Sequence, residues 1–305
     1  PSGSVYVAGT VRGGGGGSIA GNKDPMVAKY KPDGTRLWKM YVGLNVRNSV
    51  SAFLVSKHGR VFVAGGYGSD NYLAMVDGST GSRQWYDSFG GGYADFVRGL
   101  SKRAGDIWVL GEPGGAFKGG QGPGGQLYER GFDPATGSHV ATHFAAKGDY
   151  IVDALHDPNN GDILTLDVCS FTGSTPFDTC VNRYRHVTGS PGLKLTNQYT
   201  IFRNSGQYHV EFETMTLGNG RLLVAGTTGG PIFGGHPVGK YDVFVAEYTL
   251  AGKRTYSRLF GSRSYDGVEA IVGQSTRYVV AGDTQGSMYG HTSAGKTDGF
   301  VAVKR

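Results

Sequence analysis

Short runs of β-branched and aromatic residues alternate along the chain with stretches dominated by Gly, Asp, Ser and Pro. One run reads Val5-Tyr-Val-Ala-Gly9. It returns as Val61-Phe-Val-Ala-Gly65, Ile107-Trp-Val-Leu-Gly111, Leu222-Leu-Val-Ala-Gly226 and Tyr278-Val-Val-Ala-Gly282, with Ile163-Leu-Thr-Leu-Asp167 a divergent sixth copy. Such runs, ending at Gly, read as short buried strands. A second run, Asp242-Val-Phe-Val-Ala-Glu-Tyr248, recurs as Asp24-Pro-Met-Val-Ala-Lys-Tyr30 and Asp298-Gly-Phe-Val-Ala-Val-Lys304. Weaker copies are Asp70-Asn-Tyr-Leu-Ala-Met-Val76, Asp178-Thr-Cys-Val-Asn-Arg-Tyr184 and Gln126-Leu-Tyr-Glu-Arg-Gly-Phe132. The anchors of the second run lie roughly 46 to 64 residues apart, a period typical of propellers and arrays.

Each repeat resolves into four strands. The run ending in Gly is the second and the Asp-x-Phe-Val-Ala run is the third. Polar turns follow the third strand, as in Asp77-Gly-Ser-Thr-Gly81 and Asp133-Pro-Ala-Thr-Gly137, where Pro, Asp and Gly supply the required backbone angles. The fourth strand opens on a basic residue (Arg36, Arg83, His139, Arg254), with Trp38, Trp85 and Tyr256 two positions later. The first strand reads Val97-Arg-Gly-Leu100, Val152-Asp-Ala-Leu155, Phe212-Glu-Thr-Met215 and Val268-Glu-Ala-Ile271, with Val50-Ser-Ala-Phe53 earlier. Asn219-Gly220 is a strong hairpin signal between first and second strands.

The pattern holds six second and six third strands but five first and five fourth strands. It predicts an all-β chain, a β-propeller of six visible four-stranded blades with incomplete terminal blades, forming a single domain over residues 1–305. Ala28, Ala246 and Ala302 of the third strands are expected to be buried. Unpaired strand edges expose backbone donors and acceptors. The expectation is therefore a module of a longer chain, with a seventh blade in the full-length protein left open.

These motifs resemble the bacterial and algal β-propeller repeat called SBBP. Its pattern is approximately Gly-Asn-Val-Tyr-Val-Thr-Gly, a Gly-rich linker, Asp-Ala-Phe-Val-Ala-Lys-Tyr, a turn, and a Trp-containing strand closing on Phe-Gly. The resemblance covers nearly the whole chain and is closest over residues 5–43, 222–261 and 278–304. The third and fourth copies, around Gln126 and Asp178, depart from it. It implies a propeller with four-stranded blades. It leaves activity open, since these repeats occur in varied cell-surface and secreted proteins.

Composition agrees with this picture. The 54 Gly among 305 residues suit tight turns and would burden a helical protein, at about 1 kcal/mol for each helix-interior Gly relative to Ala. No apolar run approaches the ~20 residues that span a bilayer. The net charge is +6, but Lys and Arg are scattered singly, which speaks against nucleic acid and for an acidic protein or polysaccharide partner.

The two cysteines, Cys169 and Cys180, fall just after the second strand and early in the third strand of the fourth repeat. Adjacent antiparallel strands can bring their Cα atoms to disulfide distance, so a bridge and an extracellular or cell-surface location are expected. Two buried free thiols are the alternative.

Three sets of residues are candidates for function. The repeated Asp24, Asp70, Asp178, Asp242 and Asp298 read as turn caps rather than metal ligands. Ser51, Arg98, Asp153, Glu213 and Glu269, at the second position of the first strands, form an expected channel charge ring. It is either a site for a hard cation such as calcium or a self-compensating solvated ring. The second reading is preferred because no Asp-x-Asp-x-Asp run is present, so no cofactor is expected. The long connections 10–23, 112–125, 170–177, 227–241 and 283–297 should share one face. They carry Phe233, His236, Lys240, Tyr289, His291 and Lys296 as candidate ligand- or partner-binding residues, against a plainer reading as Gly-rich spacers.

No Gly-x-Ser-x-Gly elbow or His-Glu-x-x-His pair occurs, and no catalytic residue is named. The favoured function is a non-enzymatic extracellular structural or protein-interaction module of a larger surface assembly. The alternatives are a carbohydrate-binding propeller and a polysaccharide lyase or hydrolase.

Overall fold

The computed structural model describes residues 3–11, 23–42, 48–92, 94–114, 127–145, 150–169, 178–187, 192–274, 277–293 and 295–304. The chain divides into two compact units. The first is Pro1–Gly148 with His186–Lys194, and the second is Asp149–Arg185 with Leu195–Arg305.

The first unit holds three antiparallel meanders. They are β1 (Val5–Val11), β2 (Asp24–Tyr30) and β3 (Arg36–Tyr41); β4 (Ala52–Val55), β5 (Arg60–Tyr67), β6 (Asp70–Asp77) and β7 (Arg83–Phe89); and β8 (Phe96–Arg103), β9 (Asp106–Glu112), β10 (Tyr128–Phe132) and β11 (His139–Ala145). The second unit holds β12 (Tyr150–His156), β13 (Ile163–Val168), most of β14 (Thr179–His186) and most of β15 (Gly192–Phe202). Then follow β16 (Val210–Gly218), β17 (Arg221–Thr228), β18 (Asp242–Thr249) and β19 (Arg254–Phe260), and finally β20 (Asp266–Gln274), β21 (Arg277–Thr284) and β22 (Asp298–Lys304). His186 and the start of β15 group with the first unit, where Gly192 and Leu193 pair in parallel with Phe144 and Ala145. The strand order is the one the repeat pattern predicts. Among the described residues there is no helix long and apolar enough to cross a membrane.

The third strands run through the core. Seven of the eight residues of β18 are buried, and Ala28 and Ala246 have no exposed surface. Ala302 is only half-buried, contrary to expectation. It lies in β22, at the edge of a three-stranded sheet among the described residues, where Val301 and Val303 are exposed as well.

Two packing relationships explain the repeated residues. The Gly that closes the second strand faces the backbone of the first strand. A Cβ at Gly226 would run into the Glu211 carbonyl, one at Gly111 into that of Phe96, and one at Gly65 into that of Ser49, just ahead of β4. In three repeats the aromatic residue of the fourth strand packs on the turn Gly of a later repeat: Trp38 on Gly81, Trp85 on Gly137, Tyr199 on Gly252. Those three glycines have positive φ, and the turns at Asp77 and Asp133 are closed by their carboxylates accepting from the amides two and three residues on.

The first strands share a defect in register. The ladder to the second strand skips one residue between Val97 and Gly99, Ile151 and Asp153, Phe212 and Thr214, and Val268 and Ala270. A bulge at the same place in four repeats re-aims the extra side chain. That side chain is Arg98, Glu213 or Glu269 in three of the four.

Candidate functional site

Two connections in the second unit, 229–241 and 285–293, are built rather than slack. Ile232 and Gly235 exchange backbone hydrogen bonds at 3.1 and 2.8 Å, and Met288 and His291 do so at 3.1 and 2.9 Å. Within the first bracket Phe233 and Gly234 have φ of 55° and 85°; within the second Tyr289 and Gly290 have 49° and 82°. Two successive positive φ values mark a type I′ turn, and an aromatic residue in that region is strained. The approach to each turn is also duplicated. Thr228 Oγ1 donates to Gly230 O and accepts from its N–H, and Thr284 does the same with Gly286.

The two turns differ in what they present. Phe233 packs against Phe202 and Phe244 and lies under the Arg254 guanidinium, 4.3 Å from the ring centre. Tyr289 is 63% exposed and borders a cavity of about 280 Å³ with Met288, His291, Ser293, Asp298 and Phe300. His236, Lys240 and Lys296 are exposed, with Lys240 Nζ 5.0 Å from the Tyr265 ring centre. Of the three remaining connections, residues 12–22, 115–126 and 170–177 lie outside the described residues.

The repeated Asp residues accept backbone amides in two different ways, and among the described residues only Asp242 caps the turn into its third strand as expected. The Asp242 carboxylate accepts from the amides of Val238 and Gly239 at 2.8 and 3.1 Å. Asp70 and Asp178 accept from Gly92 and Asn204, beyond the fourth strands of their repeats.

The residues of the expected charge ring each have local partners. Arg98 pairs with Glu112 at 2.9 Å. Asp153 accepts from the amides of Ala154 and Met215, both at 2.7 Å, and from Thr214 Oγ1. Glu213 accepts from Thr227 Oγ1 at 2.8 Å. Burial, with Glu211, Glu269 and Asp283 nearby, pushes the Glu213 carboxyl up to about 7, against the pull of that hydrogen bond. Burial and Asp283 raise Glu269. Ser51 is exposed, and its amide donates to Ala64 O at 2.9 Å. Among the described residues these acids do not form a trio at metal-ligating distance; one other trio does.

That trio was not legible as a motif. In the third repeat Glu129 occupies the third-strand position held by Val27, Leu73, Val181 and Val245 in four others, and all five are buried. A charge in such a position has to be compensated. Oε1 of Glu129 lies 2.7 Å from Nδ1 of His143 on neighbouring β11, 2.7 Å from Nε2 of His186 and 3.4 Å from Nη2 of Arg103. Trp108 stacks on the His143 ring and carries the Arg103 guanidinium on its face, 4.2 Å from the ring centre. The substitution of Glu for Val was the one signal in the sequence.

A cleft of about 630 Å³ in the second unit is lined by Tyr150, Asn204, Gln207, Tyr208, His209 and Glu211, among others. Tyr150 and Tyr208 are 51% and 41% exposed. A disulfide joins Cys169 and Cys180.

No family model and no curated protein matches the sequence. Solved structures match in fold. The luciferin-regenerating enzyme is 12% identical at a TM-score of 0.52, over 92% of this chain and 84% of that one. The WD40 repeats of RRP9 are 10% identical at 0.50, over 90% and 76%. The hydrazine synthase of Kuenenia stuttgartiensis is 10% identical at 0.52, over 85% and 69%. At such identities the likeness is one of fold. With the strand order, it makes this chain an all-β protein of the propeller-like class.

Proposed function

We propose that the chain is a non-enzymatic interaction module of the SBBP repeat type, working outside the cell as part of a larger surface assembly. The duplicated type I′ turns carry this reading. Two connections at equivalent places in successive repeats hold an aromatic residue in left-handed backbone, and the second displays Tyr289 beside His291 and a small cavity. Slack Gly-rich spacers would have no reason to share this geometry, and recognition residues concentrate on loops held by rigid scaffolds. The disulfide supports the oxidising location. A Tyr289→Ala, His291→Ala double variant should lose retention on the surface of the producing cells while keeping its melting temperature. Unchanged retention would remove this face from the proposal.

A second reading, carbohydrate binding, draws on the cleft around Tyr150 and Tyr208. Exposed rings beside Asn204, Gln207, His209 and Glu211 offer an apolar platform rimmed by hydrogen-bonding groups, a composition suited to a sugar. A glycan array separates the two readings. Saturable signal lost in Tyr208→Ala favours the sugar, and a blank array favours the protein partner.

A further inference from the structure

We propose that Glu129, His143 and His186 bind one divalent transition-metal ion, Zn²⁺ foremost. Two imidazole nitrogens and one carboxylate oxygen lie within 4.8 Å of one another, a donor set zinc uses with water in the fourth position. Tetrahedral bonds of about 2.0–2.1 Å place ligand atoms roughly 3.3 Å apart. The 2.7 Å separations from Oε1 to each ring nitrogen would open by about half an ångström.

The contacts as they stand do not balance as hydrogen bonds alone. Oε1 of Glu129 faces Arg103, His143 and His186 at once, more donors than one oxygen's two lone pairs accommodate. Nε2 of His186 faces both this acceptor and the Nη1 donor of Arg103. A single ring nitrogen either donates or accepts. A cation at the centre resolves both conflicts once Arg103 withdraws from Oε1 of Glu129 and from Nε2 of His186, since each ligand atom then directs a lone pair at the ion.

The surroundings suit a bound ion with one open position. Glu129 is fixed on the central strand β10, between β9 and β11. Trp108 stacks on the His143 ring at 16° to its own plane, which limits the rotation of that imidazole by packing. The side chains of His143 and His186 are 21% and 34% exposed, leaving a path for water. Arg103 neutralises the carboxylate when no ion is bound. It yields that contact on binding and keeps its place on the Trp108 face.

The probe is Co²⁺, whose visible absorption reports four-coordinate binding, followed by competition with Zn²⁺. We expect one Co²⁺ per chain, displaced by Zn²⁺. His143→Ala and His186→Ala should each weaken binding tenfold or more with unchanged near-ultraviolet circular dichroism. Zn²⁺ should raise the melting temperature of the wild type alone. Because His186 is the most exposed ligand, its variant keeps the test decisive if Glu129→Gln fails to fold. Absence of saturable Co²⁺ bands in the wild type, or equal binding by a His143→Ala, His186→Ala double variant, would overturn the site and leave a hydrogen-bonded cluster.

Discussion

The Cα atoms of Cys169 and Cys180 stand 5.7 Å apart, and a disulfide closes the loop between them. Cys169 follows the end of β13, Cys180 lies in β14, and the Cys169 amide donates to Asp178 O at 3.0 Å. The bridge thus staples the most divergent second strand to its neighbour, at Asp167, where other repeats have Gly. In the chain-entropy model a loop of this size contributes about 2.5–3 kcal/mol. Alkylation of fresh protein without reductant should leave both cysteines unlabelled, and reduction should lower the denaturation midpoint accordingly. Labelling of both thiols would remove the bridge and the oxidising compartment together.

Gly226→Ala is expected to destabilise the chain by about 1–3 kcal/mol. The added methyl meets the Glu211 carbonyl and the Phe244 ring, and neither β16 nor β18 can recede without breaking ladder bonds. Gly220, in the hairpin between β16 and β17, has open space around its Cβ direction but a φ of 68°. Gly220→Ala should cost less, through backbone strain alone. Denaturant titration of the two variants checks the order.

How much of this was legible follows from where each signal resides. Strand order was readable because the β-branched runs and their closing Gly mark local geometry, and the close backbone approach at Gly65, Gly111 and Gly226 explains why Gly recurs there. The cap at Asp242 was readable because a carboxylate opening a strand satisfies the amides just before it; the bond from Gly92 to Asp70 was not, because it depends on where the end of the fourth strand returns. The Glu129 cluster was not, because its histidines come from β11 and β14 at no motif spacing. Arg98, Glu213 and Glu269 share one position, the bulge of their first strands, whereas in β12 that position belongs to Val152 and Asp153 lies one residue on. The bulge that re-aims them depends on pairing, which a sequence does not display. The left-handed turns at Phe233 and Tyr289 were hidden inside Gly-rich connections that read equally well as spacers.

Stability should fall as pH rises from about 4.5 to about 7. In the folded chain the Glu213 carboxyl is raised to about 7 from its ordinary value of 4.5. In that window the folded state therefore binds more protons than the unfolded state, and raising pH removes the advantage. Glu269 shifts in the same direction. Glu213→Gln should flatten the profile and stabilise the chain at pH 8 by about 1–2 kcal/mol, a figure discounted for the solvent that reaches the group. A variant with an unaltered pH profile would remove Glu213 as the cause.

The interaction face is tested most directly by photocrosslinking from position 289. A benzophenone side chain replaces Tyr289 in one sample and Val272 in another, and both are illuminated in the medium and surface fraction of the producing cells. The two native side chains are equally exposed, each at 63%. Val272 lies near the β20–β21 hairpin, at the other end of the meander from the Tyr289 turn. The proposed function predicts one discrete protein adduct from position 289 and none from position 272. Equal labelling from both positions, or no adduct from 289, would contradict it.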